Sequence, residues 1–387
     1  VRRFGRADVM STDFPHPIPR QAAVAIGDLI DHCAEIKAGQ RVLIVAANDG
    51  LTGGINLVDE ATVAWIQAAV QRRGAYPTLL WTDIPGSVHA WHVPPAFKTA
   101  IAGVEVVISH AFDLPFEELY ELRDAMAQHR VNFVRNMATT ANLLTSDWAQ
   151  TPYELVSEIR IRTARLFTEG SVWSLTHPNG TSITGKIRSP LPPERKYADY
   201  RSEGFYRPFP EGVFSPINIA ETEGILVFDQ TSPWWARYIG VSAHFSQPVR
   251  ITIEKNRIRA FDGGAEANAM ERFLADMALR VGDTMYEAFA LHGGVHPHAK
   301  IARHQCPHDT YRAFIEHHHS GHLHLHLGVV PPSQRATYPY FVHVTGDLEG
   351  ATLKLDDQFV YEGGRLSTLD SPAIKEVAAR YPDRPGV

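Results

Sequence analysis

Apolar residues in the first 150 positions fall into short runs, and between the runs they recur at helical spacing. Arg41 to Ala47, Pro77 to Asp83, Val104 to Phe112 and Val131 to Asn136 read as buried strands. The segments near 18–38, 58–74, 116–129 and 151–166 read as helices, and strands alternating with helices predict a parallel sheet covered on both faces. From about residue 168 the pattern changes to short strands broken by Gly, Pro and Asn, such as 171–177, 181–187, 224–229 and 249–261. The alternation within Arg250 to Glu254 suits a half-buried antiparallel sheet. A single helix, about Ala265 to Arg280, interrupts these strands, and the Pro-rich, aromatic stretch Ser189 to Pro216 reads as a long irregular connection. The pattern therefore predicts an open α/β domain with a mostly parallel sheet over 1–167, then a β-rich α+β metal-binding domain over 168–387.

Composition adds mainly exclusions. With 387 residues the chain is long enough for two domains, and its 44% apolar and 21% charged residues are those of a globular protein. No apolar run approaches the roughly 20 residues of a membrane span, so no membrane association is expected. A formal charge of −6 without a Lys/Arg cluster argues against nucleic acid. The basic start, with Arg2, Arg3 and Arg6, has no apolar segment after it, so no secretory signal is read. Cys33 and Cys306 form no C-x-x-C pair, which fits a reducing, cytoplasmic setting. The Gly-rich turn Asn48 to Asn56 lacks both G-x-G-x-x-G and a P-loop lysine, so it reads as a plain loop.

Histidine is the exception to this ordinary composition. Twelve of the 20 histidines lie between His292 and His343, and six of those between His317 and His326. Neutral imidazole donates a nitrogen lone pair, and such tracts are one signature of metal binding. The run His322 to Gly328 (HLHLHLG) alternates strictly. As a strand it turns His322, His324 and His326 to one face and Leu323, Leu325 and Leu327 to the core. A second alternating run, Tyr338 to Gly346, puts Phe341, His343 and Thr345 on one face, so pairing of the two strands would bring His343 to the same site. His317, His318 and His319 are consecutive and cannot share a face, so at most two serve chemistry and the rest are expected at the surface. His292 comes from a Gly/Pro-rich loop upstream. Glu266, at the start of the 265–280 helix, is the best-placed carboxylate for a site of two imidazoles and one carboxylate.

Four segments also carry a family resemblance. Pro210 to Asp229 (PEGVFSPINIAETEGILVFD), Ile251 to Ala267 (ITIEKNRIRAFDGGAEA), His324 to Gly328 (HLHLG) and Phe341 to Thr345 (FVHVT) fall in the order seen in aminopeptidase T-like metallopeptidases. The chain resembles that family and, within it, the 2,5-dihydroxypyridine 5,6-dioxygenases, over most of its length. The resemblance implies metal ligation by an H-x-A-L-G histidine, by the histidine and aspartate of V-H-V-D, and by two upstream glutamates. Position by position, His324 and His343 match the histidines and Glu266 the first glutamate. Thr345 stands where the peptidase has its aspartate. Ala290 stands where the peptidase has its second glutamate and the dioxygenase a histidine, with His292 two residues on.

Two cations held together need bridging carboxylates, and this chain has lost two of them, which disfavours the peptidase. The dioxygenase relative uses one Fe(II) with two histidines and an aspartate. Two of those three positions are also missing here, but the spare imidazoles supply a shifted mononuclear site. The expected activity is thus ring cleavage of a small hydroxylated aromatic or N-heteroaromatic compound by O₂ at Fe2+, with Zn2+ or Mn2+ as alternative metals. His324, His343, Glu266 and His292 are the expected ligands. His326 or His110 is expected to act as general base. Arg195, Lys196 or Arg201 would hold a substrate carboxylate. A metal-dependent hydrolase is the first rival, and a metal-storage or ligand-binding protein is the second. The family also implies a homo-oligomer.

Overall fold

A computed structural model describes residues 18–52, 57–83, 93–111, 120–189, 206–334, 338 and 343–387. Arg195, Lys196, Arg201 and Phe341 fall outside these residues, as does the end of the Gly-rich turn.

Four of the strands predicted from apolar runs form: β1 (Arg41–Ala47), β2 (Tyr76–Thr82), β3 (Val106–Ser109) and β4 (Asn132–Asn136). Helices Glu60–Arg72, Tyr120–His129 and Tyr153–Ala164 match the helical spacing. Beyond β5 (Val172–His177) and β6 (Thr181–Ser189) comes β7 (Tyr206–Phe209), which returns to the first sheet. The order there is β2-β1-β3-β4-β7, and every pairing is parallel. The stretch 189–216 is therefore not wholly irregular. A strand from beyond residue 167 completes the N-terminal sheet, so the 167/168 division does not separate the two sheets. The interior of β1 is Val, Leu, Ile and Ala buried on both faces, as a central parallel strand requires.

Among the described residues the second sheet has eleven strands. Besides β5 and β6 it contains β8 (Ile217–Gln230), β9 (His244–Glu254), β10 (Arg257–Asp262), β11 (Ala288–Gly293), β12 (His322–Leu327) and β13 (Val344–Glu349). β14 (Thr352–Leu355), β15 (Gln358–Glu362) and β16 (Arg365–Leu366) complete one side. All its pairings are antiparallel, in the order β11-β12-β13-β8-β6-β5-β14-β15-β16, with β9 on β8 and β10 on β9. The two ends of β8 hold the ribbon β11–β12–β13 from both sides. Asn218 pairs with Ala290 on β11, and Gln230 pairs with Asp347 on β13.

The helix Asp309–Glu316 lies between the two sheets. His308 caps it, with Nδ1 accepting from the Tyr311 amide at 3.2 Å. The Tyr311 hydroxyl donates to the carbonyl of Met137, just beyond β4, at 2.7 Å. The guanidinium of Arg135, on β4 itself, lies over the Phe314 ring. This helix ends at His317, so the sequence that anchors it also delivers the first histidine of the site. No helix among the described residues is long and apolar enough to cross a membrane.

Candidate metal centre

Strand phase decides what β12 presents. Residues directly opposite in an antiparallel pair share a face. His324 lies opposite His292 on β11 and Asp347 on β13. His326 lies opposite Ala290 and Thr345, and His322 opposite Glu349. One face of the ribbon thus carries His292, His322, His324, His326 and Asp347. Leu323, Leu325 and Leu327 pack on the other face and are almost fully buried. The alternation predicted from HLHLHL is observed.

The donors gather into two adjacent groups, and within each group the ligand atoms lie within 4.8 Å of one another. The first is His292, His324 and His326. Nδ1 of His292 is 2.8 Å from Nε2 of His324 and 3.3 Å from Nε2 of His326. Metal–nitrogen bonds of about 2.0–2.1 Å put neighbouring ligands of one ion about 3 Å apart, so this spacing fits a single cation. Burial, reinforced by the neighbouring imidazoles, pushes all three histidines well below the usual range, which keeps them neutral and able to donate. Their far ring nitrogens, Nε2 of His292 and Nδ1 of His324 and His326, are buried without a hydrogen-bond partner among the described residues.

The second group is His317, His322 and Asp347. Oδ2 of Asp347 is 3.0 Å from Nδ1 of His317 and 3.5 Å from Nε2 of His322. Burial opposes ionisation of this carboxyl, but the two imidazoles outweigh it and hold it below the usual carboxylate range. Nε2 of His322 and Oδ1 of Asp347 are buried and have no hydrogen-bond partner of good geometry among the described residues. The His317 ring lies against that of His324 at 3.9 Å, joining the two groups. A cavity of about 220 Å³ opens onto the second group alone; His244, Lys300, Glu316, His319 and Glu349 are among its other walls.

Two glycines make room for the turn that carries the consecutive histidines. A Cβ on Gly212 would strike the side chain of His318, and one on Gly294 would strike the backbone of His318 and His319. The three histidines then part ways. His317 joins the carboxylate group. His318 donates from Nδ1 to the Phe314 carbonyl, 2.8 Å away, and stays neutral because burial lowers it to about 3. His319 lines the cavity, with Nδ1 accepting from the Gly321 amide. The surface placement expected for the rest of this run does not hold for His318, which is buried.

The remaining candidates occupy distinct places. His343 stands just before β13 with its ring stacked on His326 at 4.2 Å, and its Nε2 accepts from the Trp235 indole at 3.2 Å. Glu266 accepts from the amide and hydroxyl of Ser246 and belongs to neither donor group. His110 follows β3 in the N-terminal sheet, 3.3 Å from the Asn136 amide, and burial takes it to about 3. The Thr345 hydroxyl accepts from the Ser232 amide. Asp347 was not among the residues picked out from the sequence, and His317 was named only as one of three consecutive histidines. Asp347 could have been found, because Thr345, Asp347 and Glu349 continue one strand phase.

No protein-family profile and no curated protein matches the chain. Solved structures that share its fold include two that cover most of the chain. One is 2,5-dihydroxypyridine dioxygenase from Pseudomonas putida KT2440, with a TM-score of 0.61 and 14% identity over 90% of this chain and 96% of that one. The other is wild-type AmpT from Thermus thermophilus, with a TM-score of 0.53 and 11% identity over 90% and 98%. The fold is thus the one that the sequence resemblance implied.

Proposed function

We propose that this chain is a metal-dependent oxygenase that opens the ring of a small hydroxylated aromatic or N-heteroaromatic compound, with one iron ion held by His317, His322 and Asp347. One observation carries the reading. Two imidazoles and one carboxylate, the donor set of mononuclear non-haem iron oxygenases, gather on the wall of a cavity sized for a small molecule. The shared fold with a 2,5-dihydroxypyridine dioxygenase supports the same chemistry. Bound there, iron would pass electrons from the ring to O₂.

The protein's own residues shape this centre. Asp347 orients His317 through the 3.0 Å contact and supplies the negative charge that Glu266, outside both donor groups, does not bring to this site. The His324 ring backs His317 and limits its rotation. On the cavity wall His244 is placed to take the proton of a substrate hydroxyl, a role that neither His110 nor His326 can reach, because neither lines that cavity.

Hydrolysis is the second reading, favoured by the 2.8 and 3.3 Å spacing of His292, His324 and His326, which suits a zinc ion with three nitrogens and a water. Metal analysis of anaerobically purified Asp347→Asn and His292→Ala proteins separates the two placements. The proposal expects iron to be lost from Asp347→Asn and kept in His292→Ala, with O₂ uptake by the iron form on hydroxylated aromatics. Amide turnover by a zinc form that survives Asp347→Asn, with no O₂ uptake by the iron form, would sink it.

A further inference from the structure

The cavity's size and charge bear on what it takes. An apolar cavity of about 150 Å³ holds benzene, so about 220 Å³ accommodates a single ring with short substituents. The described walls carry three carboxylates, Glu316, Asp347 and Glu349, against one lysine, Lys300. Lys300 already pairs with Glu349 at 2.6 Å. Glu316 forms a longer ion pair, 3.8 Å, with Arg312, whose other guanidinium nitrogens are shared with Asp309 at 2.7 Å and the Cys306 carbonyl at 3.1 Å.

A divalent ion beside Asp347 would leave these walls near neutrality. A ring bearing both a deprotonated hydroxyl and a carboxylate would then add two negative charges to a partly enclosed site. A ring bearing a hydroxylate and an ammonium would add none. The acidic walls do not stand alone, because Asp347, more than nine-tenths buried on the wall of the same cavity, keeps its Oδ1 without a hydrogen-bond partner among the described residues.

We infer that the substrate is a single-ring hydroxylated aromatic carrying a cationic nitrogen, not a ring carboxylate, and that Glu316 on the cavity wall receives that cation. This rests on the metal placement proposed above. It also departs from the sequence expectation of a carboxylate held by arginine or lysine. Glu316 is thereby a specificity-determining residue on the cavity wall, one position before the ligand His317.

Binding alone tests the inference, with no turnover. Zinc-loaded protein is titrated calorimetrically with 4-methylcatechol, 4-(2-aminoethyl)catechol and 3,4-dihydroxyphenylacetate. The amine should bind about fivefold or more tighter than the carboxylate, the scale of one half-exposed ion pair. Glu316→Gln should remove that preference without changing affinity for 4-methylcatechol. Lys300→Ala, which releases Glu349, should enlarge it. Equal or tighter binding of the carboxylate overturns the inference, as does a preference untouched by Glu316→Gln, or failure of all three compounds to bind. The metal placement fails separately, if 4-methylcatechol binds equally well to Asp347→Asn.

Discussion

β1 and β12 are both buried along almost their whole length, each within its own sheet, yet they reach that state by opposite means. The buried part of β1 is aliphatic on both faces, and neighbouring strands and helices cover it. β12 is aliphatic on one face only. Its other face holds three imidazoles, and His324 and His326 each keep a ring nitrogen with no partner among the described residues. Burying a polar atom unpaired costs about 1–3 kcal/mol. β1 therefore contributes stability, whereas the imidazole face of β12 draws on it and keeps lone pairs available for a ligand.

The largest effect should come from the aliphatic sides of both strands. Leu43→Ala on β1 and Leu325→Ala on β12 each remove a side chain that is almost fully buried. Each should lower unfolding free energy by about 2–5 kcal/mol, read from urea denaturation. If Leu325→Ala costs under about 1 kcal/mol, the leucine face of β12 is not part of the core and the contrast between its two faces fails.

How much of this contrast the sequence disclosed depends on period and on glycine. Strict alternation in HLHLHL assigned both faces of β12, and the apolar run of β1 identified a central parallel strand. Asp347 was lost because Gly346 looked like the end of a strand. In the fold Gly346 lies inside β13, where a Cβ would collide with Leu226 and Phe228. It is a glycine of close approach, not of a turn, and the strand runs on to Glu349. His317 was illegible for another reason. It reaches the ribbon from the end of a helix, and no local period reports which of three consecutive histidines the helix will deliver. β7 was hidden by its setting in a Pro-rich stretch.

A smaller effect should separate the polar face with its ion from the polar face without it. A ligand that binds only the folded chain stabilises it by about 2.7 kcal/mol at a hundredfold excess over Kd. Adding Fe(II) anaerobically to metal-free protein should raise the midpoint of thermal unfolding, and chelation should reverse the rise. In Asp347→Asn the rise should vanish. An undiminished rise in that variant would assign the ion to His292, His324 and His326 instead.

The smallest effect should have the opposite sign. His326→Leu replaces a buried imidazole by an apolar side chain of similar size. The His326 ring packs on Phe289 at 5.4 Å and on His343 at 4.2 Å, contacts that a leucine can largely keep. Its Nδ1 has no partner among the described residues, and its Nε2 competes with His324 for the same nitrogen of His292, where His324 is closer at 2.8 Å against 3.3 Å. The substitution thus relieves one orphaned polar atom and gives up one long contact. Replacing an unsatisfied buried polar group by a well-packed apolar one is neutral or stabilising. Metal-free His326→Leu should therefore match wild type or exceed it by up to about 1 kcal/mol in urea denaturation, while keeping the iron held by His317, His322 and Asp347. A loss of more than about 2 kcal/mol would mean that His326 is satisfied in the folded chain, and the imidazole face of β12 would then be as self-sufficient as β1.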